Sequence, residues 1–150
     1  MKIIFIVFSF LFLVLGGVVG AQIKEMTLSG CFLKSSSNIN NLLNKMSDKN
    51  SNKYIANTTF NTIVEIQDFD GTTKSQTYKL VNMNSGYAEG IRDNGTRLDV
   101  KNQPYLHEWM IVKLYYDKKE AAVEFHYKDI KLNTTKVSNY QYLCNSNKSN

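Results

Sequence analysis

The chain is 150 residues long and carries 18 Lys and Arg against 13 Asp and Glu, a formal net charge of +5 that falls to +4 once Lys2 leaves with the N-terminal segment. The cations are scattered, and runs such as "KLYYDKK" (113–119) and "YKDIK" (127–131) mix signs, which excludes the concentrated basic patch of a nucleic-acid binder. Removing 21 residues from 150 leaves 129, the length of one domain with a core of its own.

Residues 1–21, "MKIIFIVFSFLFLVLGGVVGA", hold a Lys at position 2, an apolar run over 3–15 and small residues up to Ala21. A charged start, a short hydrophobic segment and small residues at its exit mark a secretory signal peptide. Cleavage is expected after Ala21, leaving 22–150 as a single, mainly β, extracellular domain. An uncleaved anchor is the competing reading, because 3–21 carries no charge. Gly16, Gly17 and Gly20 weigh against it, and no basic cluster follows. No later stretch reaches spanning length, so the mature chain is expected to have no membrane span.

"QIKEMTLSGCF" (22–32) reads as a first strand carrying Cys31, whose only possible partner in the chain is Cys144. In an oxidising compartment the pair predicts a disulfide that ties the two ends of the domain together; two free thiols or a bridge to another chain are the alternatives. In "SSSNINNLLNKMSDKNSN" (35–52), Ile39, Leu42, Leu43 and Met46 fall on one helical face, and Ser37 or Asn38 is placed to cap it. The spacing predicts a short helix over 38–47.

From Tyr54 the period becomes two. Tyr54, Ala56, Thr58, Phe60, Thr62, Val64 and Ile66 alternate with Asn57, Asn61, Glu65 and Gln67, giving one expected buried face and one wet face. Asp70-Gly71 marks a turn, a second strand runs to Met83, and Asn84-Ser85-Gly86 is the next break. Residues 87–92 and 97–101 flank Asn94-Gly95, the strongest short hairpin signal in the chain. After Pro104, "LHEWMIVKLYY" (106–116) is apolar on both faces, as expected for a strand covered on both sides. "DKKE" turns the chain. In "AAVEFHYKDIKL" (121–132), Ala121, Val123, Phe125 and Tyr127 share a face, and the shift to Ile130 and Leu132 predicts a β-bulge. "VSNYQYLC" (137–144) closes the chain with Tyr140, Tyr142 and Cys144 in phase, ahead of a flexible tail over 145–150. The sum is about eight antiparallel strands, and a meander of that kind removes its edges by forming a barrel or a sandwich.

Four N-glycosylation sequons begin at Asn57, Asn94, Asn133 and Asn147, each expected on the surface. His107 and His126 lack the further ligands a zinc site needs, and Asp68 and Asp70 lack the acidic residue that ends a calcium loop, so no metal or other cofactor is expected. Glu65, Glu108 and Glu124 read as solvent-facing acids rather than a catalytic pair. No Gly-x-Ser-x-Gly elbow exists either. An enzyme is therefore not expected.

The mature aromatic set is chiefly Tyr with Trp109. Tyr105, Trp109 and Tyr115 share one parity and are the candidate ligand-binding residues, with plain cross-strand packing as the alternative. The layout of a short strand, a helix and a long antiparallel meander resembles the small lipid-binding barrels of the calycin type, although the Gly-x-Trp motif of secreted lipocalins is absent near the N-terminus. A likeness of layout implies a fold and no function. The expectation is a secreted, disulfide-linked, glycosylated binding module for a small apolar ligand or an extracellular protein partner. The alternatives are a structural or cell-surface glycoprotein without a pocket, and a small secreted hydrolase.

Overall fold

The computed structural model describes residues 24–36, 51–69 and 71–145. The signal peptide, the helix over 38–47, Asp70, Asn147 and the tail beyond Asn145 lie outside the described residues. The rest is a closed barrel of eight antiparallel strands: β1 (Glu25–Ser36), β2 (Ser51–Asn57), β3 (Thr62–Phe69), β4 (Thr72–Met83), β5 (Tyr87–Leu98), β6 (Pro104–Tyr115), β7 (Glu120–Asp129) and β8 (Thr134–Asn145). Each strand pairs with the next in sequence, and β8 returns to pair with β1, so no edge is left exposed.

The count agrees with the sequence expectation, but several boundaries do not. Residues 54–67 are not one strand. Thr58, Thr59, Phe60 and Asn61 form a tight turn between β2 and β3, with Asn61 at φ 54° and the Asn57 side chain accepting the Phe60 amide at 3.1 Å. The turn reverses the parity: Tyr54 and Ala56 point inward before it, Ile63 and Glu65 after it, and Phe60 lies 74% exposed at its tip. Conversely, Asn94-Gly95 is not a hairpin turn. It sits within β5, where the register with β6 slips between Asp93↔Trp109 and Gly95↔Glu108, and Gly95 at φ 86° supplies the left-handed residue of a β-bulge. The β5–β6 hairpin turns instead at 99–103, where Asp99 Oδ1 accepts the amides of Lys101 and Gln103.

β6 is not covered on both sides either. Met110, Val112 and Leu114 are buried in the interior, while Trp109, Ile111, Lys113 and Tyr115 stand half-exposed on the outer wall. A single closed sheet has one interior, so the outer apolar residues are shielded only by neighbours along the wall. The shift after Lys128 is a turn over 130–133, not a bulge: β7 keeps unbroken register with both neighbours, and Asp129 Oδ1 accepts the Leu132 amide at 2.9 Å.

The two ends of the barrel differ. Toward the turns at 58–61, 84–86 and 116–119, the lumen is filled by Leu28, Ala56, Ile63, Ala88, Val112 and Leu114, all 1% exposed or less. Tyr116 packs against this core and donates to the Met26 carbonyl at 3.3 Å. The Cys31–Cys144 disulfide belongs to the same buried core and joins the first strand to the last, with their Cα atoms 3.9 Å apart. Toward the other end the lumen becomes polar and opens.

Candidate functional site

The open half of the lumen is built from residues two positions further along the same inward-facing rows. On β3, Ile63 is followed by Glu65 and Gln67; on β4, Tyr78 is preceded by Gln76; on β5, Gly90 is followed by Arg92. Gly90 is the residue the packing requires there, because a Cβ at its position would lie 3.0 Å from Tyr78 Cβ and 3.1 Å from Ile63 Cδ1.

Glu65 is the only buried charged residue among those described, at 1% exposure. Its Oε1 accepts from Asn52 Nδ2 at 2.9 Å, Tyr54 Oη at 3.0 Å and Gln67 Nε2 at 3.0 Å, and its Oε2 accepts from Tyr78 Oη at 2.6 Å. Burial first, and the charge of Glu65 second, push the Tyr54 and Tyr78 hydroxyls well above the ordinary tyrosine value. Both therefore remain protonated and serve as donors. Tyr142 stands edge-on to Tyr54, ring centres 6.2 Å apart, and is raised for the same two reasons.

Above this layer an inner chamber of about 100 Å³ is bounded by Glu65, Gln76, Met110, Phe125, Tyr140 and Tyr142. It shares Gln76, Met110 and Phe125 with a wider mouth of about 490 Å³, which adds Arg92, Arg97 and Glu108. Arg92 Nη1 donates to Gln76 Oε1 at 2.6 Å and forms no ion pair with a carboxylate among the described residues. Arg97 instead grips Glu108 with Nε and Nη2, each 2.9 Å from Oε2. Phe125 meets Tyr140 edge-on at 6.0 Å, so the aromatic wall between the two chambers is packed.

Tyr105, Trp109 and Tyr115 do share one face of β6, and it is the outer one. Trp109 stacks on His126 at 4.9 Å and 15°, with His107 at 5.6 Å on the same wall. Tyr115 tilts against Tyr87 at 5.3 Å beneath Lys118. Tyr105 borders an outer groove of about 520 Å³ with Leu98, Val100 and Lys131. None of the three lines the lumen; Met110, the neighbour of Trp109, does.

The two histidines meet Trp109 rather than each other. His126 Nε2 lies 3.1 Å from Glu124 and His107 Nε2 lies 3.6 Å from Asp93, and no three possible metal ligands gather among the described residues. Glu124 is on the outer wall. Burial pushes its carboxyl up, but hydrogen bonds from Lys113 and His126 outweigh this and hold it below the ordinary value.

Of the sequons, Asn94 is exposed at the β5 bulge and Asn133 is exposed at the β7–β8 turn. Asn57 is half-buried and engaged, donating to Glu25 Oε2 at 3.0 Å as well as accepting from Phe60, so the expected free exposure does not hold for it. Glu65 itself escapes a sequence reading because continuing the alternation through 58–61 places it on the wet face. The signal that locates it is the pair Asn57 and Asn61, which bracket a turn that reverses the phase.

No family model, curated protein or solved structure matches this chain.

Proposed function

We propose that the protein is a secreted, non-enzymatic binding barrel whose open half-lumen holds a small, largely apolar molecule. The observation that carries this reading is the inner chamber of about 100 Å³ beneath a mouth of about 490 Å³, in a barrel whose opposite half is filled. The lining mixes apolar surface from Met110, Val123, Phe125 and Tyr142 with a few fixed polar groups, the composition that suits small-ligand sites. The disulfide and the exposed sequons at Asn94 and Asn133 support an extracellular destination. Binding rather than acid–base chemistry is supported by the state of the inward acids: Glu65 accepts four hydrogen bonds and Glu108 is held by Arg97.

The test is native mass spectrometry of protein secreted from its producing cells, paired with a Met110→Trp variant that fills the chamber. A retained small mass is expected in the wild type and absent in the variant, with the barrel intact by circular dichroism. Failure to find a retained mass, together with unmoved Met110 and Val123 methyl resonances across a panel of small apolar ligands, would remove the reading.

A further inference from the structure

Every group that reaches the carboxyl of Glu65 is neutral: two tyrosine hydroxyls and two side-chain amides. All four donate to it, an arrangement that suits the acceptor-only, negatively charged form of the group. Buried charges in folded proteins are ordinarily paired. No Lys, Arg or His among the described residues pairs with this one, and Arg92, the guanidinium of the lumen, is turned to Gln76. The hydrogen bonds are also uneven. Oε1 accepts three and Oε2 only one, from Tyr78, so Oε2 keeps a lone-pair direction free.

The same carboxyl borders the inner chamber, and three aromatic rings, those of Phe125, Tyr140 and Tyr142, border it with Glu65. Aromatic faces carry negative charge density and attract a cation, more so where water is excluded. Glu65 and the three rings share the lining with the neutral side chains of Gln67, Gln76, Met110 and Val123, and Arg92, the nearest cation, is held on the mouth side by its hydrogen bond to Gln76. An anionic ligand end set against Glu65 would be repelled in a medium of low dielectric, and a neutral one would leave Glu65 without an ion-pair partner. The chamber, at about 100 Å³, is also small beside the roughly 300–1,000 Å³ of a site that swallows a whole drug-sized ligand. It has room for the end of a molecule whose remainder would lie against Met110 and Phe125 in the mouth.

We propose that the inner chamber is a subsite for the ammonium end of a small primary amine, with Glu65 as its counter-ion and the rings of Phe125, Tyr140 and Tyr142 as its walls. This rests on the lumen being a ligand site and adds to it the charge of the ligand.

Titration calorimetry on the oxidised protein with phenethylamine, 2-phenylethanol and phenylacetate separates the two ideas, since the three probes keep one ring on a short chain and change only the charge of its end. Phenethylamine is expected to bind roughly tenfold or more tighter than the alcohol, the scale of one charge-assisted contact, with phenylacetate weakest. Glu65→Gln should erase the difference between amine and alcohol. Because that substitution sets a new donor among four existing ones and endangers the fold, Tyr140→Leu serves as the second variant. It removes one ring without touching the hydrogen bonds of Glu65, and it should weaken the amine severalfold more than the alcohol. Equal binding of the three probes overturns the amine subsite while leaving the lumen as a ligand site. Binding of none also overturns it, and the retained-ligand measurement then decides separately whether the lumen binds anything.

Discussion

Tyr78 and Glu65 meet at 2.6 Å inside the lumen, both 1% exposed or less. Tyr78→Phe keeps the ring and removes the only donor to Oε2, so it should destabilise the fold by about 1–3 kcal/mol, the cost of leaving a buried acceptor unsatisfied. Tyr105→Phe, on the exposed outer wall, should stay within about 0.5 kcal/mol; urea midpoints of the two variants measure the contrast. The same cluster sets an alkaline limit. The hydroxyls of Tyr54, Tyr78 and Tyr142 are held above their ordinary value of 10.0, by burial first and by Glu65 second. Below pH 10 folded and unfolded chains are both protonated and the stabilisation is complete. Above it the unfolded chain loses these protons first, so stability falls with rising pH. Urea midpoints should therefore decline from about pH 10 upward, and the tyrosinate absorbance of the buried rings should rise together with unfolding rather than before it. Little of this site was legible in the sequence. The sequence puts Tyr140 and Tyr142 in phase with Cys144, as they stand in the barrel, but it puts Glu65 on the wet face, because alternation alone cannot see a four-residue turn made of residues that also fit a strand.

At the scale of the strand, β5 shows how a turn signal is overruled. Asn-Gly favours a two-residue hairpin only when the strands on either side can pair with each other. Here both flanks pair with β6 instead, 87–93 with its second half and 95–98 with its first, so the dipeptide is absorbed as one extra residue in a continuous strand. The sequence expectation thus split β5 in two and fused β2 with β3, and the total of eight survived because the errors offset. What was legible were the turns at Gly71, at 84–86 and at 116–119, where no longer-range pairing competed with the local signal. The two glycines of β5 should respond differently to a methyl group. At Gly95 nothing lies within 4 Å of an added Cβ, so Gly95→Ala bears only the strain of φ 86°, about 1–2 kcal/mol, and leaves the Asn94 sequon intact. At Gly90 the added Cβ would press on Tyr78, Ile63 and the Lys79 carbonyl at 3.0–3.2 Å. Overpacking of this kind costs about 1–3 kcal/mol, and here it must also displace Tyr78 from Glu65. Gly90→Ala should accordingly disturb the lumen resonances of Met110 and Val123, whereas Gly95→Ala should lower the melting temperature and leave those resonances in place.

For the whole molecule, the decisive seam is the one between β1 and β8, since a meander becomes a barrel only when its first and last strands pair. That seam is irregular: its register slips between Ser29 and Phe32 and again between Leu33 and Ser35, and Gly30 adopts φ 56° beside it. Fewer evenly spaced hydrogen bonds hold it than hold β6 to β7, whose register is unbroken from Leu106 to Tyr115. The disulfide is placed to compensate, because Cys31 and Cys144 join these two strands across a separation of 113 residues. Cross-linking a loop of that length removes chain entropy worth roughly 4–5 kcal/mol from the unfolded state, an upper figure that incomplete unfolding reduces. Replacing both cysteines with alanine, which avoids burying hydroxyls in the apolar layer, should lower unfolding stability by an amount approaching that figure while the barrel still forms. Amide exchange distinguishes this seam from a merely weaker core. In the variant, protection should fall first along β1 and β8 and last along β6 and β7, and a uniform loss across all strands would mean that the bridge steadies the whole sheet rather than its closure.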